Sequence, residues 1–231
     1  MFDAYTRRAR LAPAAVAAVP ALVLLGGGLI SPEGAESVVA LGFGAVGVVI
    51  CGLVRDAGRR LQDGLWRSWG GAPTVRRLRW RDASDPGAME RLHRLVAEVT
   101  GEPLPTSAEE DADPQVADRR YAEAVAVLRE LTRKRQDFPL VAEENAEYGF
   151  RRNCLGLRPV AMAVAGAVLG VSAGLLVAGG GEPRFYTGGA VALVALAWWW
   201  LVRPDWVRRA AELYADRLLE AVETLRRQAP G

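Results

Sequence analysis

Lysine, histidine and cysteine are nearly missing from this sequence. Lys134 is the only lysine, His93 the only histidine, and Cys51 and Cys154 the only cysteines. One histidine and two scattered thiols fall short of the ligand set of a structural zinc site, so no metal is expected. Cys51 lies within an apolar run and Cys154 just ahead of another. A disulfide between them has nothing to support it beyond a shared membrane face, and both read as reduced thiols. The formal net charge is only +2, too weak a field to point to nucleic acid. Arginine supplies almost all the positive charge and asparagine is scarce, while alanine and glycine abound. That is the bias of a GC-rich bacterial genome.

Catalytic signatures are lacking too. There is no phosphate loop, no nucleophile elbow and no zinc-binding helix, so a non-enzymatic protein without cofactors is expected. His93 sits among Arg91, Leu92 and Arg94 and reads as a solvated residue of a surface helix. No stretch alternates polar and apolar residues with the period of a strand, and the fold class is all-α.

Charge is absent from four long blocks and dense elsewhere. The blocks are LAPAAVAAVPALVLLGGGLI (11–30), SVVALGFGAVGVVICGLV (37–54), VAMAVAGAVLGVSAGLLVAGG (160–180) and FYTGGAVALVALAWWWLV (185–202). A twenty-residue helix is roughly 30 Å long, the thickness of a bilayer core. Four such runs in a chain this short are too many for the remaining residues to cover. They predict an integral membrane protein with four transmembrane helices in two hairpins. The first block is too long for a signal-peptide core and reads as a retained helix. Pro20, near its middle, predicts a kink.

The flanks predict orientation. Arg7, Arg8 and Arg10 precede the first block, and Arg55, Arg59 and Arg60 follow the second. Arg151, Arg152 and Arg158 precede the third, and Arg203, Arg208 and Arg209 follow the fourth. The short turns SPEGAE and GEPRF carry only Arg184. All four basic clusters fall on one side, which the positive-inside rule makes cytoplasmic. The expected place is a bacterial inner membrane, with both termini cytoplasmic. Trp198, Trp199, Trp200 and Trp206 then form an interfacial aromatic belt, with Phe185 and Tyr186 at the opposite interface.

This gives four parts: a membrane hairpin (1–54), a cytoplasmic helical insert (55–157), a second hairpin (158–203) and a cytoplasmic amphipathic helix (204–231). Within the insert, residues 54–69 continue the second block as a helix that GGAP breaks. Asp85-Pro86 and Asp113-Pro114 are helix starts, and Gly101 is a helix stop. Met89, Leu92, Leu95, Val96 and Val99 form one apolar face; Val116, Tyr121, Ala124, Leu128 and Leu131 form another. The run EPLPTSAEEDADP, with Glu109, Glu110, Asp111 and Asp113, lacks the spacing of a calcium loop and reads as a solvated linker. In the tail, Val207, Ala211, Tyr214, Leu218, Ala221 and Leu225 make a stripe that packs on the insert, with self-association as the alternative.

Two stretches carry candidate interaction residues. In YGFRRNCLGLRP (148–159), Tyr148, Arg151, Arg152, Asn153 and Arg158 are candidates for binding a ligand or lipid headgroup, weighed against a simple anchor. Glu147 to Arg151 and Glu144 to Tyr148 to Arg152 are four apart, a spacing at which a Glu–Arg pair steadies a helix by roughly 0.3–0.5 kcal/mol. The pattern EN, spacer, YGFRRN, then GL and a basic residue before proline resembles a juxtamembrane signature of uncharacterised bacterial four-helix membrane proteins. The resemblance covers residues 143–159; it implies the membrane architecture and carries no established activity.

The second stretch is Gly166, Gly170, Gly174 and Ala178, a small-residue ridge for helix packing, within the bundle or between subunits. No Asp, Glu, Lys, Arg or His lies within the four blocks, where a proton-coupled transporter would need one. The expected function is an oligomeric, channel-like or membrane-perturbing effector controlled through its cytoplasmic helices, with a scaffold for a soluble partner as the alternative. The expected partners are the lipid bilayer, further copies of the chain and a soluble protein.

Overall fold

The computed structural model describes residues 9, 11–15, 45–133, 136–178 and 182–228, with the backbone alone at 45–51, 175 and 182–187. Every regular element among the described residues is helical, so the chain is all-α. The first apolar block beyond residue 15, with Pro20, and the second before residue 45 lie outside the described residues.

Helix starts follow local chemistry. α1 (Ala45–Ser68) runs unbroken through the apolar-to-polar boundary at residue 54. It stops at Gly70 and Gly71, whose φ values of 80° and 131° suit glycine alone. α2 (Pro73–Arg76) and a 3₁₀ turn (Trp80–Asp82) follow. α3 (Pro86–Thr100) has Asp85 accepting from the Ala88 amide, and it closes on Gly101 at φ 73°. α4 (Ser107–Ala112) replaces the expected acidic linker. Thr106 and Glu109 make a reciprocal capping box that turns the run into a helix. α5 (Pro114–Leu131) is capped by Asp113, which accepts from the Gln115 and Val116 amides.

α6 (Pro139–Val177) is 39 residues long and carries Pro159 in its interior, where the Leu155 carbonyl loses its amide partner. α7 (Glu182–Leu201) begins ahead of the expected residue 185, because Pro183 is tolerated in a first helical turn. α8 (Pro204–Gln228) ends the described chain.

The chain divides into two compact units. The first comprises Met1–Gln62 and Ala146–Val207; the second comprises Asp63–Asn145 and Arg208–Gly231. The second unit is built on Leu78, Val96, Tyr121, Ala124, Val125 and Leu128, joined by Leu218, Ala221 and Val222 of α8. Each such large side chain contributes about 1.5–3 kcal/mol by leaving water. The tail stripe is thus used within the chain, in this shared core. The α5 stripe differs from the expected one. Val116 and Leu131 are exposed, at 37% and 41%, while Ala117 and Val125 are buried. Positions 117, 121, 124 and 128 follow the 3.6-residue period, and Val116 sits about 100° off it.

In the first unit α6 and α7 meet through Ala165, Val168 and Val191. α1 and α6 approach more closely. A Cβ placed on Gly156 would lie 2.7 Å from the Ala57 carbonyl carbon and the Gly58 nitrogen, and one on Gly58 would strike Asn153. Two glycines thus let the helix backbones touch. By contrast, Gly166, Gly170 and Gly174 have open space where a Cβ would be, as far as the described residues reach. Among the described residues one helical stretch, Pro139–Gly174, is long and apolar enough to cross a membrane, and 28% of its apolar window is buried. A second exists if Gly188–Leu201 and Pro204–Gln228, bent by 53°, form one span.

Candidate functional site

In the first unit, the arginines that flank the apolar stretch of α6 have different partners. Arg151 pairs with Glu147 one turn back at 2.7 Å, donates to the Trp206 carbonyl at 3.1 Å, and lies 5.0 Å from the Trp206 ring centre. Arg152 donates to the Gln62 side chain on α1 and lies over Tyr148 at 5.6 Å. Asn153 is buried and donates to the Ala9 carbonyl at 2.7 Å, filling the α1–α6 crossing beside Gly58. Of the candidate binding residues, Asn153 is thus a bracket between chain segments, and Tyr148 is buried beneath Arg152.

Arg158 differs. Its guanidinium stacks 3.9 Å over Trp199 and donates to the Trp199 carbonyl at 3.2 Å, with no carboxylate partner among the described residues. Arg203 lies 5.1 Å from the Trp200 ring. The tryptophan triplet faces more than one way: Trp198 is buried, whereas Trp199 and Trp200 are exposed. Trp206 receives Arg151 and the edge of Phe150. The Nε atoms of Arg152 and Arg158 and the Trp198 indole nitrogen are buried donors without an acceptor among the described residues.

The second unit holds a charged centre that sequence reasoning missed. Glu110 is 1% exposed, and its carboxylate accepts four hydrogen bonds. They come from the Tyr121 hydroxyl (2.6 Å), the Trp80 amide (2.9 Å), the Arg81 amide (3.2 Å) and Arg81 Nη1 (2.9 Å). Arg81 Nη2 continues to Asp118 at 2.9 Å. Arg79 grips the same carboxylate with two bonds of 2.8 and 2.7 Å and gives its third donor to the Gly70 carbonyl at 2.7 Å. This fork ties the α1 stop to α5.

Burial pushes the Glu110 carboxyl up. The hydrogen bonds from Tyr121, Trp80 and Arg81 and the arginine charge outweigh it and hold the group below the ordinary range. Burial, reinforced by the bond to Glu110, raises the Tyr121 phenol. With Glu110 saturated and Tyr121 wholly buried, the centre braces α4, α5 and the 3₁₀ turn against one another.

His93 belongs to this centre and is not solvated. It is buried, its Nε2 lies 2.7 Å from the Leu78 carbonyl, and its ring meets Trp80 edge-on at 4.8 Å. Positions 89, 93 and 96 share a face of α3, so the flanking arginines point elsewhere. Burial lowers its affinity for a proton, only partly offset by the Leu78 carbonyl and the Glu110 charge. The unfolded chain therefore binds this proton first, so stability falls as pH drops through 6.5, the ordinary histidine value. Urea unfolding should show this loss between pH 7 and 5.5, and His93→Gln should remove it. An equal slope in both proteins would show that another group titrates.

No family model, curated protein or solved structure matches the chain. Its chemistry has to be read from these two clusters. No group of three or more metal-ligating side chains occurs among the described residues. A groove of about 500 Å³ opens in the second unit, with Met89 and Leu92 in its wall and Arg76, Arg77 and Arg208 at its edge. Each of these arginines already faces a carboxylate: Asp82, Asp216 and Glu212.

Proposed function

We propose that this chain is a non-enzymatic bacterial inner-membrane protein with four crossings and both termini cytoplasmic. It assembles into an oligomeric, channel-like or bilayer-perturbing effector governed by its helical cytoplasmic unit. The observation that carries the membrane reading is the outward face of α6 and α7. Val160, Val171, Val177, Leu193, Leu196 and Leu201 are all exposed there, an arrangement that water penalises and lipid accepts. The resemblance of residues 143–159 to a juxtamembrane stretch points the same way. Assembly is favoured by the ridge of Gly166, Gly170 and Gly174, which the described residues leave uncovered. A scaffold that holds a soluble partner is the second reading, and the open groove beside Met89 and Leu92 favours it.

Topology is tested by impermeant-maleimide labelling of intact cells in a Cys51→Ala, Cys154→Ala background. Cysteines introduced at Gly34 and Arg184 should react, and Ser84→Cys should not. Labelling at Ser84 would overturn the cytoplasmic assignment. Assembly is tested with a voltage-sensitive dye during controlled expression. Depolarisation that disappears when the three ridge glycines become leucine, at equal protein level, supports the effector. An unchanged potential together with a monomer in nanodiscs favours the scaffold.

A further inference from the structure

We propose that Arg158 on Trp199 and Arg203 on Trp200 each bind the headgroup phosphate of an anionic phospholipid. This rests on the membrane reading above and adds a ligand to it. In the first unit the juxtamembrane arginines separate into two kinds. Arg151 and Arg152 are occupied by Glu147, the Trp206 carbonyl and Gln62. Arg158 and Arg203 have no carboxylate partner among the described residues, and each lies over an indole instead.

Trp199 and Trp200 are consecutive on α7, so their Cα atoms differ by about 1.5 Å along the helix axis while their side chains diverge by about 100° around it. Both rings are exposed, as are the aliphatic side chains of Leu196 and Leu201 on the same helix and of Val160 two residues beyond Arg158. Arg158 spends one Nη on the Trp199 carbonyl, while its Nε is buried without an acceptor. A guanidinium stacked flat on an indole face keeps its in-plane N–H donors off the ring, and the Nη donors that Arg158 does not spend on the Trp199 carbonyl match the oxygens of a phosphate. The complementary ligand carries a phosphate at the depth of the guanidinium groups and acyl chains along the aliphatic surface below. A zwitterionic lipid brings its own cation to the same phosphate and competes with the arginines, so a net-anionic headgroup is selected. A soluble phosphate satisfies the donors and leaves the apolar flank uncovered.

The test uses the full chain in nanodiscs of equal parts phosphatidylglycerol and phosphatidylcholine. Acyl bromine is placed on one lipid or the other, so that total composition is constant, and tryptophan quenching reports which lipid sits beside Trp199 and Trp200. Brominated phosphatidylglycerol should quench more strongly, corresponding to local enrichment on the order of fivefold at each guanidinium. The preference should vanish in R158Q/R203Q and persist in R91Q/R94Q, which changes the same net charge elsewhere. Equal quenching by both lipids in the unaltered protein overturns the site while leaving the membrane reading intact. Quenching by neither overturns both. Loss of the preference on adding millimolar inorganic phosphate would assign the site to a soluble anion and overturn the lipid. If the double variant fails to fold, W199F/W200F decides the matter: the excess quenching by brominated phosphatidylglycerol should go with those two rings, and its persistence overturns the site.

Discussion

Replacing Glu110 by alanine destabilises the second unit by about 3 kcal/mol, the lower end of the range for breaking a buried pair, since Arg81 keeps Asp118. The cost arises from what is left behind. The Tyr121 hydroxyl loses its acceptor in a fully buried place, and the Trp80 and Arg81 amides lose theirs where they are part-buried. Amide hydrogen exchange should therefore quicken on the order of 100-fold in α4 and α5. Equal exchange in the two proteins would show that the centre braces nothing.

The same residue has an acid signature. Its carboxyl is held below the ordinary 4.5 in the folded chain. The unfolded chain therefore takes up the proton first as pH falls. The stabilisation is complete above 4.5 and is lost as pH drops below it toward the folded value. Glu110→Gln should abolish this share of the acid sensitivity while lowering stability at neutral pH. A variant as acid-sensitive as the original would assign the effect to other carboxylates.

Gly156→Ala should be the most damaging single methyl in the first unit. The added carbon meets main-chain atoms of α1 at 2.7 Å, and a backbone cannot rotate away as a side chain can. α1 and α6 must separate, which costs about 1–3 kcal/mol for alanine and more for leucine. Separation would also strain the Asn153 bond to the Ala9 carbonyl, because Asn153 sits at the same crossing. Gly189→Ala, on α7 and outside the ridge, supplies the contrast. Its new carbon meets nothing among the described residues, and a shift within about 0.5 kcal/mol is expected. Thermal unfolding of both variants in one detergent decides it, since matching midpoints would mean that the crossing is not a close one.

These sites differ in how far the sequence announces them. The Thr106–Glu109 capping box obeys a spacing rule and was there to be read; the acidic composition of the run concealed it. Trp200 and Arg203 are three apart, again a local spacing. Arg158 over Trp199 has no local sign, since 41 residues separate them. The same holds for Glu110, whose partners lie 11 residues ahead in Tyr121 and 30 and 29 behind in Trp80 and Arg81. His93 was hidden by arginine neighbours that share its stretch of helix but not its face.

By itself, the sequence determined the helical class and the caps at Asp85, Gly101 and Asp113. Each depends on chemistry within about four residues, where capping side chains and proline act directly on the backbone. Tertiary structure alone decided which of many similar glycines carries a helix crossing. It also decided which acidic residue is buried and which arginines keep their donors unclaimed. Those outcomes depend on which distant segments meet, and composition and periodicity look the same whether or not they do.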